Sequence, residues 1–234
     1  MTNWTSKNIP SQSGKLAVIT GATGGLGYET ALALAGAGAE AEVILAGRNA
    51  NKGKDALHRI RGAHPRAKLR FELLDLTSLA SVAQFSSRLN ADRRPIHLLV
   101  NNAGVMALAK RQVTVDGFEM QLATNYLGHF ALTAQLLPRL RGAHKARVVN
   151  LSSLAHRHGQ IDLNDLQASH AYKPWKSYAQ SKLAMLMFAL ELQRRSEANG
   201  WGLLSNATWR SQQDHSAFCS VNGHPLLALL PVDT

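Results

Sequence analysis

Cysteine is nearly missing from this chain. Its 234 residues include one, Cys219, so no disulfide can form within it. A reducing, cytoplasmic compartment is the expectation. Long apolar runs are missing too. None approaches the ~20 residues that a membrane span needs. Met1 to Lys15 is polar, without the apolar centre of a secretory signal. Acidic residues are few: 15 Asp and Glu stand against 26 Lys and Arg, giving a formal charge of +11 and a pI near 10.2. A polyanionic partner is one reading of that balance. The basic residues are scattered, however, from Arg59 and Arg61 through Lys68 and Arg70 to Arg139 and Arg147. No nucleic-acid reader motif accompanies them, so specific nucleic-acid binding is not expected. A phosphorylated small ligand fits the charge at least as well.

What is present is a regular alternation of strand and helix. A hydrophobic content of 45% over this length is enough for one well-buried α/β domain. Leu16–Ile19 is a short apolar run, as a strand buried on both faces should be. A glycine-rich turn and an alanine-rich helix follow, then a strand at Val43–Ala46. A helix over Lys52–Ala63 stops before Pro65. Leu69–Leu74 is a third strand, and Ser78 caps the next helix. His97–Val100, a long helix over Phe118–Leu140 and Arg147–Leu151 repeat the scheme. Ser177 is expected to cap a helix with Leu183, Leu186, Met187 and Leu190 on one apolar stripe, ending at Asn199-Gly200. Gly202–Ala207 reads as a sixth strand. This order predicts a Rossmann-type, doubly wound parallel sheet with helices on both faces and ligands at the strand carboxyl ends. The organisation expected is an N-terminal extension over 1–14, one doubly wound domain over 15–207, and an atypical tail over 208–234. In that tail only Leu226–Leu230 sustains an apolar run.

Five constellations carry chemistry. Thr20-Gly21-Ala22-Thr23-Gly24-Gly25-Leu26-Gly27 lies where the first strand turns into the first helix. Glycines there let backbone approach a pyrophosphate, and the helix N-terminus offers amides. Gly47-Arg48-Asn49 follows the second strand. An acid at this point would bind a ribose 2′-hydroxyl, whereas Arg48 suits a 2′-phosphate, favouring NADP(H) with NAD(H) still possible. Asp75-Leu76 ends the third strand, where a carboxylate can accept from an adenine amino group or serve only as a loop bond. Asn101-Asn102-Ala103-Gly104 ends the fourth and points to the same crevice. Asn150-Leu151-Ser152-Ser153 ends the fifth, without the base of a nucleophile elbow. His156 and His158 have no third ligand beside them, so no metal is expected. Tyr178-Ala-Gln-Ser-Lys182 sets a phenol and an ammonium on one helix face, where the cation favours a phenolate able to exchange a proton.

Together these residues resemble the short-chain dehydrogenase/reductase superfamily from about Gly14 to Ala207. Thr20, Gly21, Gly25 and Gly27 match its TGxxxGxG. The same stretch also fits TGxxGxxG through Gly24, and Asn101–Gly104, the NNAG of the non-extended branch, resolves the two. The resemblance implies Tyr178 as general acid/base, Lys182 as the group that assists it and holds the nicotinamide ribose, Ser153 as the group that orients the substrate oxygen, and Asn125 as the holder of a proton-relay water. Gly21, Thr23, Gly24, Gly25, Leu26, Gly27, Arg48, Asp75, Leu76, Asn102, Ala103 and Gly104 would bind the cofactor with Tyr178 and Lys182. The activity implied is hydride transfer between NADP(H) and an alcohol or carbonyl. The long Ser153–Tyr178 spacing and Leu154-Ala155-His156 look like the retinol-dehydrogenase and WW-domain-oxidoreductase-like branch, hence a small apolar substrate. Homodimers or homotetramers built on two-fold helical contacts are common in such relatives.

Two segments depart from the pattern. Gly38–Glu42 looks about two residues long before the second strand, which a loop can absorb. After the sixth strand the family has Pro-Gly, a substrate-covering helix and a seventh strand. Here Ala207-Thr208-Trp209-Arg210 follows instead, and the tail reads like a truncation or a shifted reading frame. The alternative reading is therefore a non-catalytic NADP-binding module whose turnover the altered tail impairs.

Overall fold

The computed structural model describes Thr5 and residues 8–38, 41–210 and 218–220. The elements run β1 (Leu16–Thr20), α1 (Gly25–Ala35), β2 (Glu42–Gly47), α2 (Ala50–Ala63), β3 (Lys68–Leu73), α3 (Leu79–Ala91) and β4 (Leu98–Asn101). Then come α4 (Met120–Leu122), a π-helical turn (Ala123–Leu127), α5 (Gly128–Arg141), β5 (Arg147–Leu151), a 3-10 turn (Leu154–His158), α6 (Pro174–Ala198), β6 (Leu204–Arg210) and β7 (Phe218–Ser220). The sheet order is β3-β2-β1-β4-β5-β6-β7. The first six strands are parallel, and β7 is antiparallel to β6. This is the doubly wound sheet that the sequence predicts.

Alternation along β1 explains the two layers. Ala17 and Ile19 join one core with Tyr28, Leu34, Leu45 and Ile60. Leu16 and Val18 join the other with Phe85, Leu99, Leu132, Leu136 and Leu140. A strand covered on both faces must be apolar at every position, and all five residues of β1 are buried. At the opposite end of the sheet from the motifs, Arg94 grips Glu42 through two bonds of 2.6 and 3.1 Å, and Arg70 pairs with Asp92 at 2.8 Å. The guanidinium of Arg94 holds the Glu42 carboxyl below its usual range. Several of the scattered basic residues are thus surface ties.

The structure corrects four expectations. The helix bearing Tyr178 begins at Pro174, with Lys173 as its cap residue. Ser177 lies inside its first turn and is buried. Proline at the first helical position, where its missing N–H is not needed, decides that start. Second, the stripe predicted from Leu183 to Leu190 is not the core face. Met187 and Leu190 are 52% and 49% exposed, while Met185, Ala189 and Leu192 are buried. Third, the long helix after the NNAG loop is interrupted by the π turn at Ala123–Leu127. Fourth, strand structure continues past Ala207. β6 runs to Arg210, and Thr208 and Trp209 lie opposite Ser220 and Cys219 of β7. A three-residue edge strand is too short for any periodicity to announce it. The Leu226–Leu230 run lies outside the described residues. Among the described residues, no helix is long and apolar enough to cross a membrane.

Candidate active site

The strand order reverses between β1 and β4, so the loops leaving these strands diverge and leave a crevice. A cavity of about 460 Å³ opens there. It is lined by Gly21, Thr23 and Gly24 after β1, Arg48 after β2, Asp75 and Leu76 after β3, and Asn102, Ala103 and Gly104 after β4. Gly25, Leu26 and Gly27 form the first turn of α1 behind it. Gly21 has φ +66°, and a Cβ on it would lie 2.9 Å from the Ala103 Cα. Only glycine lets the two loops close on each other there.

Lys52, Thr77, Val105 and Thr124 also line the cavity, and the sequence motifs did not point to them. For Lys52 a signal existed. It sits four residues after Arg48, and Asn49 caps α2 by accepting from the Lys52 amide at 3.0 Å, which brings both cations to one helix end. Asp75 is turned partly inward on its own loop. Its Oδ1 accepts from the Thr77 amide and hydroxyl at 2.9 and 2.7 Å.

Thr20 joins the first and fourth loops. Its hydroxyl oxygen accepts from the amides of Asn102 and Ala103 at 2.9 and 3.0 Å. The Asn102 side chain donates back to the Thr20 carbonyl at 2.7 Å. Below them Asn101 donates to Asn150 at 2.8 Å, locking the ends of β4 and β5 together.

Beyond Gly104 lies the second half of the site. Lys182 is buried, and its ammonium donates to the Leu151 carbonyl at 3.0 Å. It stands 5.8 Å from the centroid of the Tyr178 ring. A Cβ on Gly104 would fall 3.4 Å from the Lys182 Nζ and 3.0 Å from the Asn125 Oδ1, so the glycine is what leaves these groups room. Burial lowers the Lys182 pKa from 10.5 to about 8. Ser153 precedes the 3-10 turn and accepts from the Ala155 amide at 3.2 Å. Among the described residues nothing accepts its hydroxyl hydrogen, which can be offered to a ligand. His156 packs its ring edge-on to Trp209 of β6, with centroids 5.2 Å apart.

Asn125, expected to hold a relay water, is itself held by its side chain. Its Oδ1 accepts from the Val105 amide at 2.8 Å, and its Nδ2 donates to the Val105 carbonyl and the Ser181 hydroxyl, both at 2.9 Å. Both side-chain N–H groups are spent on this clasp. Ser181 in turn donates to the Tyr178 carbonyl at 2.7 Å. The π turn is therefore fastened to the helix of Tyr178 and Lys182.

A glycine-lined crevice at the switch point of a parallel sheet, bordered by a Tyr–Lys pair, defines a dinucleotide-binding oxidoreductase class. The comparisons narrow that class. The short chain dehydrogenase family matches residues 15–202, and the chain belongs to that family. Over 202 residues it is 46% identical to mouse polyprenol dehydrogenase, covering 85% of this chain and 59% of that protein. Mouse retinol dehydrogenase 12 is 43% identical over 84% of this chain and 60% of its own length. The chain thus falls in the retinol-dehydrogenase-like branch and spans about three-fifths of these relatives. Among solved structures, an uncharacterized protein from Mycobacterium paratuberculosis aligns with TM-score 0.81 and 44% identity, over 90% of this chain and 73% of the other. The Pseudomonas aeruginosa RhlG/NADP active-site complex aligns with TM-score 0.66 and 27% identity, over 84% and 71%.

Two buried bases give the fold a definite pH dependence. Lys182 binds its proton less well folded than unfolded, so stability rises with pH between about 8 and about 10.5, by roughly 3 kcal/mol. His129 is fully buried and depressed by that burial from 6.5 to about 3. The unfolded chain therefore binds the extra proton first, and stability falls on acidification from about 6.5 toward 3, by roughly 4–5 kcal/mol. We expect Lys182→Met to raise the denaturation midpoint at pH 7 and to lose that advantage above pH 10.5. Urea titrations at pH 7 and pH 10.5 check this; a midpoint lowered at pH 7 would contradict it.

Proposed function

We propose that this protein is an NADP(H)-dependent oxidoreductase acting on an apolar alcohol or carbonyl compound. The observation that carries the reading is the buried Lys182 ammonium beside the Tyr178 ring, at the end of a crevice that bears Arg48 and Lys52. The names of the relatives, polyprenol and retinol dehydrogenases, support an apolar substrate.

In this reading the glycine turn and the first turn of α1 take the pyrophosphate on backbone amides. Arg48, with Lys52 beside it, takes the 2′-phosphate through charge-assisted bonds. Asp75 and Leu76 border the adenine, and Asn102, Ala103 and Gly104 let the rest lie against backbone. A nicotinamide held there would supply the hydride chemistry. The protein handles the proton. Tyr178 gives it to, or takes it from, the substrate oxygen. Ser153 orients that oxygen with its free hydroxyl hydrogen. Lys182 stabilises the phenolate by Coulomb attraction in a desolvated setting. Asn125 contributes through its backbone carbonyl, since its amide is committed to Val105 and Ser181.

A second reading keeps cofactor binding and drops turnover. One observation favours it. Trp209, packed on His156 and continuing in β6, stands where the family's Pro-Gly turn would leave the strand. The reading of residues 15–207 as the NAD(P)-binding domain is common to both; only in the first do its catalytic residues turn over substrate.

Three outcomes are expected. Purified protein should oxidise NADPH with long-chain aldehydes or ketones, and Tyr178→Phe should lower kcat about 10²–10⁴-fold with unchanged NADPH affinity. Tight NADPH binding without turnover on any carbonyl compound would select the second reading. Arg48→Ala should weaken NADPH binding about 10–100-fold, as loss of a charge-assisted bond implies, while leaving NADH binding unchanged; fluorescence titration of both cofactors reads it. Finally, we propose a homodimer through α5 and α6. Phe130, Met187 and Leu190 are each about half exposed there, and Phe130 packs edge-on to Phe188 at 5.5 Å. Light scattering should give twice the chain mass, reduced to one by Leu190→Glu; a monomer before mutation would reject it.

A further inference from the structure

His129 is fully buried at the start of α5 and has no part in the chemistry described above. Its Nε2 lies 2.9 Å from the Thr20 hydroxyl, and its Nδ1 lies 3.3 Å from the Asn125 carbonyl. Both lone pairs of that hydroxyl are already taken by the Asn102 and Ala103 amides. Its single hydrogen has two acceptors in reach, the His129 Nε2 and the Val100 carbonyl at 3.3 Å. The shorter contact goes to the histidine. That leaves the ring hydrogen on Nδ1, where it is donated to Asn125. The opposite tautomer would set a nitrogen lone pair against a carbonyl oxygen and a third donor on Thr20. One neutral ring thus accepts from the glycine-turn loop and donates to the π turn.

We propose that His129 is a positioning residue that couples the two halves of the site. Through Thr20 it holds the loops that border the cofactor crevice. Through Asn125 it holds the π turn, and the Asn125–Ser181–Tyr178 bonds carry that restraint to the helix of the Tyr–Lys pair. The role rests on the NADP(H) reading given above. It does not involve a proton changing hands at His129. The charge nearest in influence is Lys182, which, like burial, keeps the ring neutral.

The two ring nitrogens can be replaced one at a time. Asparagine puts an amide near the Nδ1 position, and glutamine puts an oxygen near the Nε2 position. His129→Asn should keep the Asn125 link and lose the Thr20 link. NADPH Kd should then rise about 10-fold with kcat within about 3-fold of wild type. His129→Gln should do the reverse, lowering kcat about 10-fold with Kd nearly unchanged. Thr20→Val, which also strips the Asn102 and Ala103 amides of their acceptor, should raise Kd at least as far as His129→Asn does. The kcat–pH profile should keep its limbs in both histidine variants. A parallel loss of kcat, Kd and thermal midpoint in both would reduce His129 to a core residue and overturn the proposal. So would no change in either, or loss of an acidic limb. Kd is read without turnover. If wild-type protein binds NADPH but reduces nothing, the catalytic reading fails, while a Kd rise confined to His129→Asn still upholds the Thr20 link and its absence still overturns it.

Discussion

A single buried ammonium sets the terms for this site. Lys182 lies on α6 with its charge against the Leu151 carbonyl and the Tyr178 ring, and it is desolvated enough to hold its proton weakly. Such a group works against the fold at neutral pH, and a hydrophobic side chain would pack there more comfortably. Residues that break a local rule of this kind cluster where function needs them. The neighbourhood is built to keep the lysine in place. Ser152 donates to the Lys182 carbonyl at 2.8 Å, Ser181 ties the Tyr178 carbonyl to Asn125, and Gly104 leaves the space into which Nζ reaches.

That arrangement depends on the sheet. Parallel strands put all their carboxyl ends on one side, and the reversal of order between β1 and β4 separates the loops there. The crevice walls come from four strands far apart in sequence, yet their contacts are short. Thr20 meets Asn102 and Ala103, and Asn101 meets Asn150, across register pairs that the apolar strands below enforce. The polar bonds fix the loops only because the strands have already aligned them.

Much of this is visible in the residue order. Leu16–Ile19 and Val43–Ala46 read as strands because each is a short, continuous apolar run with a charged residue before it and a glycine turn after it. Gly21, Arg48, Asp75 and Asn102 could be assigned to one crevice because each follows a strand. What escaped the sequence is orientation. Leu183, Leu186, Met187 and Leu190 have helical spacing, but periodicity does not say whether a stripe meets the core or faces out. Asn125 stands at the expected position, yet its amide turns to Val105 and Ser181, a choice made by the π turn. α6 starts at Pro174, before Ser177, because proline favours the first helical position. Beyond Ala207 the pairing of β7 is a matter of backbone bonds, which side-chain patterning does not encode.

The most direct test of the account is the titration of Lys182 itself. With selectively labelled lysine, its side-chain resonance is assigned by its loss in Lys182→Met and followed with pH in the free protein. A midpoint near 8 is expected, well below the 10.5 of a lysine in open water. A Lys182 midpoint at 10.5 or above would contradict it.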